Sequence, residues 1–106
     1  MSAKHTVRGF RAWLDLMPGK NNTLHVEGSV EVPTGGWSGL LKEAEPQGIN
    51  PTILILDAEL IAPTGVATQV ISDVKLTFSK QRAEAYKSVS IRGLGDSFTV
   101  SVTEVH

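Results

Sequence analysis

Residues 24–32 read Leu-His-Val-Glu-Gly-Ser-Val-Glu-Val, with apolar side chains at 24, 26, 30 and 32 and polar ones at 25, 27, 29 and 31. Successive side chains of a strand leave opposite faces, so this spacing predicts a strand with one dry and one wet side. Similar alternation recurs from end to end, with no convincing helical period between the runs. Seven strand-like runs emerge, at about 6–16, 23–32, 37–43, 52–62, 68–78, 85–92 and 97–105. Turn chemistry separates them: Pro18-Gly19 with Asn21-Asn22, Pro33-Thr34-Gly35-Gly36, a loop from Glu45 to Pro51, Pro63-Thr64-Gly65 and Gly93-Leu94-Gly95-Asp96. Residues 79–84 form a polar link with room for one helical turn.

Seven short strands at near-regular spacing predict one all-β domain over residues 1–106. The expected form is a seven-stranded antiparallel β-sandwich with an immunoglobulin-like Greek key, and a small closed β-barrel is the alternative. Tyr86, two residues before Ser88 at the entry to the sixth strand, stands where immunoglobulin-like domains place a tyrosine that pins the preceding corner. The chain resembles that superfamily in strand rhythm. It departs from it in having no inter-sheet cysteine pair, with serine at position 88.

Composition narrows the function classes. A chain that is 41% hydrophobic and 20% charged can build a packed core. Its apolar runs, such as Ile53-Leu54-Ile55-Leu56, are far shorter than the roughly 20 residues of a membrane-spanning helix. With no cysteine, disulfides, thiolate metal sites and thiol nucleophiles are excluded, and a reducing or bacterial compartment is expected. Residues 1–8 lack the apolar core of a signal peptide, so the expectation is a cytoplasmic protein. A trimmed export signal would instead make it periplasmic or secreted.

Charge is uneven. Residues 27–73 hold seven acids against Lys42, and residues 74–92 hold five bases against Glu84. Either the second stretch is a basic face for an anionic partner, or the two neutralise each other across paired strands. A pI near 6.3 and the lack of aromatics interleaved with bases argue against nucleic acid.

Catalytic chemistry has little to work with. Of the three histidines, His5 and His106 are terminal, and His25 faces solvent beside Glu27 two residues on. That pair supplies fewer ligands than the three a catalytic zinc takes, and Asp57 and Glu59 lie in no calcium-type loop. Gly93-Leu94-Gly95-Asp96 lacks the lysine-serine tail of a phosphate-binding loop. No enzyme activity, metal or cofactor is expected, and the reading is a small accessory or binding module of bacterial type.

Two surfaces could bind. In residues 53–61, if Leu54, Leu56, Ala58 and Leu60 face the core, then Ile53, Ile55 and Ile61 face outward. Those isoleucines would then serve a homodimer or lie under a neighbouring loop, unless a bulge swaps the faces. Trp13 falls opposite Phe10, Ala12 and Leu14, where it either caps a sheet edge or joins those isoleucines as a candidate contact with a protein partner or a second copy. The other surface is the loop Thr34, Gly35, Gly36 and Trp37, supported by Leu94, unless Trp37 is a core tryptophan. Pro33-Thr34-Gly35-Gly36-Trp37 resembles the Asn-Pro-Thr-Thr-Gly-aromatic loop of chagasin-like cysteine-protease inhibitors, which are also immunoglobulin-like. That resemblance implies protease inhibition through this loop. Valine replaces the expected asparagine, and Arg92-Gly93-Leu94-Gly95 replaces the expected Arg-Pro-Trp segment.

Overall fold

The computed structural model describes residues 6–18, 22–65, 69–95 and 97–105. All seven runs are strands: β1 (Val7–Asp15), β2 (Thr23–Val32), β3 (Ser38–Glu43), β4 (Ile53–Ile61), β5 (Ser72–Gln81), β6 (Ser88–Arg92) and β7 (Phe98–Val105). β2 pairs with β5 along its whole length, from Thr23↔Gln81 to Val32↔Ser72. That pairing corrects the expected fifth strand, which runs on to Gln81 where a polar link was foreseen. Alternating Val74, Leu76 and Phe78 face inward, and the exposed Ser79 and Gln81 simply continue the wet face. The expected start of this strand at Thr68 lies outside the described residues, as do Gly19, Asn21, Asp96 and the terminal histidines.

Gly28 interrupts the apolar face of β2 for a reason found on β1. A β-carbon built on Gly28 would lie 2.4 Å from the Phe10 ring. Residues 9 and 10 together oppose the single residue 28, because the register slips between Arg8 and Arg11. Gly9 adopts φ +63° there, the left-handed conformation of the first residue in one class of β-bulge. The extra residue turns Phe10 inward while leaving Arg8 and Arg11 both outward. Phe10 then meets Phe98 of β7 edge-to-face, with ring centroids 5.1 Å apart.

The strands form one mixed sheet in the order β3-β4-β6-β7-β1-β2-β5. The expectation of a wholly antiparallel sheet is corrected at two places. β1 runs parallel to β7 (Ala12↔Val102 to Asp15↔Val105), and β4 parallel to β6 (Ile53↔Ser88 to Asp57↔Arg92). Parallel neighbours require a crossover. Between β4 and β6 the chain makes it by travelling to the far end of the sheet as β5. The sheet curls until its two end strands face each other, so the molecule is nearly closed, as in a barrel. Gly39 of β3 lies against Leu76 of β5, where a β-carbon would sit 2.6 Å from Leu76 Cδ2. Nearby, Lys80 Nζ donates to Glu43 Oε2 at 3.1 Å across the same seam.

Inside is an apolar core to which every strand contributes, with Leu24, Leu54, Leu56, Leu76 and Ile91 fully buried. No polar side chain among the described residues is buried. Among the described residues, no helix is long and apolar enough to cross a membrane.

Filling the Gly28 slot should be costly. Gly28→Val should lower the urea midpoint by an equivalent of about 1–3 kcal/mol through overpacking. Adding Phe10→Leu should recover part of the loss, so the double variant is more stable than the sum of the singles requires. Strict additivity in that cycle would mean that the ring and the slot are not coupled.

Candidate functional site

The bulge in β1 decides what lies on the outer face of β7-β1-β2-β5. Downstream of it, Arg11, Trp13 and Asp15 point outward, in register with Glu27, His25 and Thr23 of β2. His25 is level with Ser79 and Glu27 with Thr77 on β5, and Trp13 is level with Thr103 on β7. Two adjacent rows thus cross the strands. The first reads Thr103, Trp13, His25, Ser79, and the second continues through Arg11, Glu27 and Thr77.

Trp13 is the centre of this face. Its ring stacks on His25, with centroids 5.2 Å apart and planes 24° from parallel. The Arg11 guanidinium lies over the indole, 5.0 Å from its centroid, in cation–π range. Arg11 also donates from Nε to Glu27 Oε1 at 3.0 Å, and from Nη2 to the same oxygen. On the β7 side of Trp13 a recess of about 370 Å³ is lined by Arg11, Ala12, Thr103 and Val105. On the β5 side a second, of about 260 Å³, is lined by His25, Glu27, Thr77 and Ser79. A third recess of about 270 Å³ lies at the end of the sheet between Leu14, Leu16, Tyr86 and Val102.

The sequence-predicted sites fare differently. Ile53, Ile55 and Ile61 do face outward, since β4 pairs with β3 and β6 without a register shift. Ile55 is nevertheless covered by its own loop. Gln47 accepts from the Ile55 amide at 2.8 Å and donates to its carbonyl at 2.9 Å, and Gly48 lies over the side chain. Ile53 is half-buried, and Ile61 is 51% exposed. Trp13 does not join them, because β6 and β7 stand between β1 and β4.

In the loop after β2, Trp37 packs half-buried against the core, and its indole N–H donates to Thr34 Oγ1 at 2.9 Å. Gly36 is exposed beside Pro63, and Gly35 is half-buried. Leu94 corrects the sequence reading. At 2% exposure it belongs to the core and cannot support a contact made by that loop.

Ion pairs link the two charged stretches at two places. Asp57 holds Arg92 bidentately and Glu43 holds Lys80, joining the acidic stretch to the basic one, while Glu59 holds Lys42. Glu27 and Glu31 are instead held by Arg11 and Arg8 of β1. Glu27 is thereby committed to Arg11, and His25 to the Trp13 stack. No cluster able to hold a metal occurs among the described residues. Comparison with protein-family models, with characterised proteins and with solved structures gives no match.

Sequence reasoning found Trp13 but missed its setting. Alternation places Arg11, Glu27, Thr77 and Thr103 on outward faces, while Ser79 falls in the stretch read as a polar link. Their alignment into rows needs the cross-strand registers, which no local signal in these segments encodes.

The ion pairs give the fold a pH dependence. The Arg11 guanidinium holds the Glu27 carboxyl below its ordinary range, outweighing desolvation, and Arg92 does the same to Asp57. A carboxyl lowered on folding stabilises the fold above its unfolded pKa, near pH 4, and loses that contribution as pH falls through its folded value. The urea midpoint should fall as the solution is taken from neutral pH to about pH 3, less steeply with added salt. Arg11→Met and Arg92→Met should each flatten that fall. An unchanged pH profile in both variants would remove these pairs as its cause.

Proposed function

We propose that the protein is a non-catalytic binding module whose working surface is the outer face of β1, β2, β5 and β7 around Trp13. The observation that supports this reading is the large aromatic ring held by His25 and Arg11 between two recesses. Tryptophan offers wide contact area at small entropic cost, and a ring already fixed by stacking loses little freedom on binding. The side chains around it alternate apolar and hydrogen-bonding character, as small-ligand sites do.

Other readings have less support. Of its candidate contacts, inhibition by the Pro33–Trp37 loop keeps Gly35 and Gly36 uncommitted, because Trp37 is tied to Thr34 and the core, and Leu94 is internal. Self-association through Ile53, Ile55 and Ile61 must contend with the Gln47 loop over Ile55.

The two tryptophans make the choice measurable. Each contributes one indole N–H resonance to a nitrogen-15 correlation spectrum. In a screen of small-molecule and peptide fragments, binders should move the Trp13 indole and the His25 and Thr103 amides, leaving the Trp37 indole in place. Shifts centred on Trp37 would transfer the binding role to the loop. A screen with no response at either indole would overturn the proposal.

A further inference from the structure

Inward alternation on β6 runs out at one mouth of the curled sheet. Val89 and Ile91 face the core, and the same alternation brings Lys87 to the rim, where its carbonyl accepts from the Val102 amide of β7 at 2.9 Å. Leu14 and Leu16, at the end of β1, and the link from β5 to β6 complete the wall. We infer that the recess they enclose, of about 270 Å³, is a binding site for a free α-amino acid with an apolar side chain. It shares no side chain with the two recesses beside Trp13.

The link is held in place by its backbone. Arg82 takes φ +58°, the one non-glycine residue in the left-handed region among those described, and its amide donates to the Asn22 carbonyl at 2.6 Å. Ala83 then enters the core, and the Tyr86 amide closes a turn onto the Ala83 carbonyl at 3.3 Å. The Lys87 amide donates to the Thr52 carbonyl at 2.8 Å, so its backbone is fixed on both sides. Uncommon backbone conformations that survive because their surroundings impose them gather at ligand sites. Tyr86 does not pin the preceding corner as its sequence position suggested. Its ring packs against the core, and its hydroxyl bonds no other described residue. No described polar side-chain atom is buried without a partner, so that hydroxyl is open to solvent.

Charge selects the ligand. Glu84 and Lys87 both line the recess and form no ion pair with each other. The amide of Glu84 itself and Asn22 Nδ2, at 2.8 Å, hold the Glu84 carboxyl below its ordinary range. Both donors are neutral, so the negative charge stays uncancelled, and Arg82 acts on it only from a distance. Lys87 makes no ion pair with a described residue. Glu104 also lines the recess but has a partner already. A simple carboxylic acid would be repelled by Glu84, and a simple amine by Lys87. A molecule with an ammonium and a carboxylate on one carbon answers both. Leu14, Leu16, Val102 and the Tyr86 ring supply an apolar wall for its side chain. The volume lies just under the roughly 300–1,000 Å³ of drug-sized sites, which suits a single amino acid and not a peptide.

The test titrates nitrogen-15-labelled protein with L-leucine, L-methionine and L-phenylalanine. At least one should give a saturable shift of the Tyr86 and Lys87 amides, with the Trp13 indole unmoved. The tightest binder is then compared with its own deaminated and decarboxylated forms, each of which should bind about tenfold more weakly or worse. Lys87→Met and Glu84→Gln should each weaken the amino acid about tenfold. Both positions are exposed, and glutamine keeps an oxygen for Asn22, so the remaining amide spectrum should stay as it is. If either variant loses its fold, the truncated ligands still test the same two charges on the intact protein. No saturable shift with any of the three amino acids would overturn the inference. So would a truncated form that binds as tightly as its parent, or a response centred on the Trp13 indole.

Discussion

The Phe10 ring lying in the space left by Gly28 is the contact on which the rest of this fold depends. The ring reaches that place because Gly9 accepts a left-handed conformation and adds one residue to β1. In an unbroken strand, Arg8 would share a face with Phe10, Ala12 and Leu14, and burying a guanidinium there would be prohibitive. The bulge resets the alternation, so that Val7, Phe10, Ala12 and Leu14 all face inward and both arginines face water. Phe10 also touches Phe98, so β2, β1 and β7 meet at one aromatic contact. The outer face carrying Trp13 is a consequence of this inner arrangement, since the same slip that turns Phe10 inward brings Trp13 level with His25.

Closure on the other side uses a different device. β3 and β5 are the ends of the sheet, and unpaired strand edges invite association with other chains. Here the edges are brought together by a glycine that admits Leu76 and by a lysine–glutamate pair at the rim. Surface ion pairs contribute little individually. Their positions nonetheless follow the topology: Asp57–Arg92 spans the parallel β4–β6 pair, Lys42–Glu59 the β3–β4 pair and Lys80–Glu43 the seam. Two of these pairs, Asp57–Arg92 and Lys80–Glu43, join the acidic stretch of the sequence to the basic one.

Much of this was legible in the sequence, because alternation and turn chemistry are local. All seven strands were foreseen, and the residues of β2 expected to face inward do so. What escaped detection was set by distant partners. β5 extends to Gln81 because β2 offers ten residues to pair with, and the parallel β1–β7 and β4–β6 neighbours depend on where the curled sheet brings strands together. Leu94 sits between two turn glycines and reads as a loop tip, yet the hairpin folds it under the sheet into the core. Ile55 reads as an exposed apolar residue because the Gln47 clasp joins residues whose relation only the folded loop reveals. The aromatic face needed three registers at once, and Gly28 was the one local sign of what lay opposite it.

The parallel seating of β1 beside β7 also fixes how the molecule would bear a load. The two strands run side by side in the same direction, joined from Ala12↔Val102 to Asp15↔Val105 and closed by the Leu16 amide donating to the Val105 carbonyl at 2.8 Å. Their outer ends therefore lie at opposite ends of the sheet. Tension applied between the start of β1 and the end of β7 would run along the strands and strain those hydrogen bonds together, in shear, instead of opening them one after another. A domain with this geometry resists being pulled apart along its own length far better than one whose end strands peel.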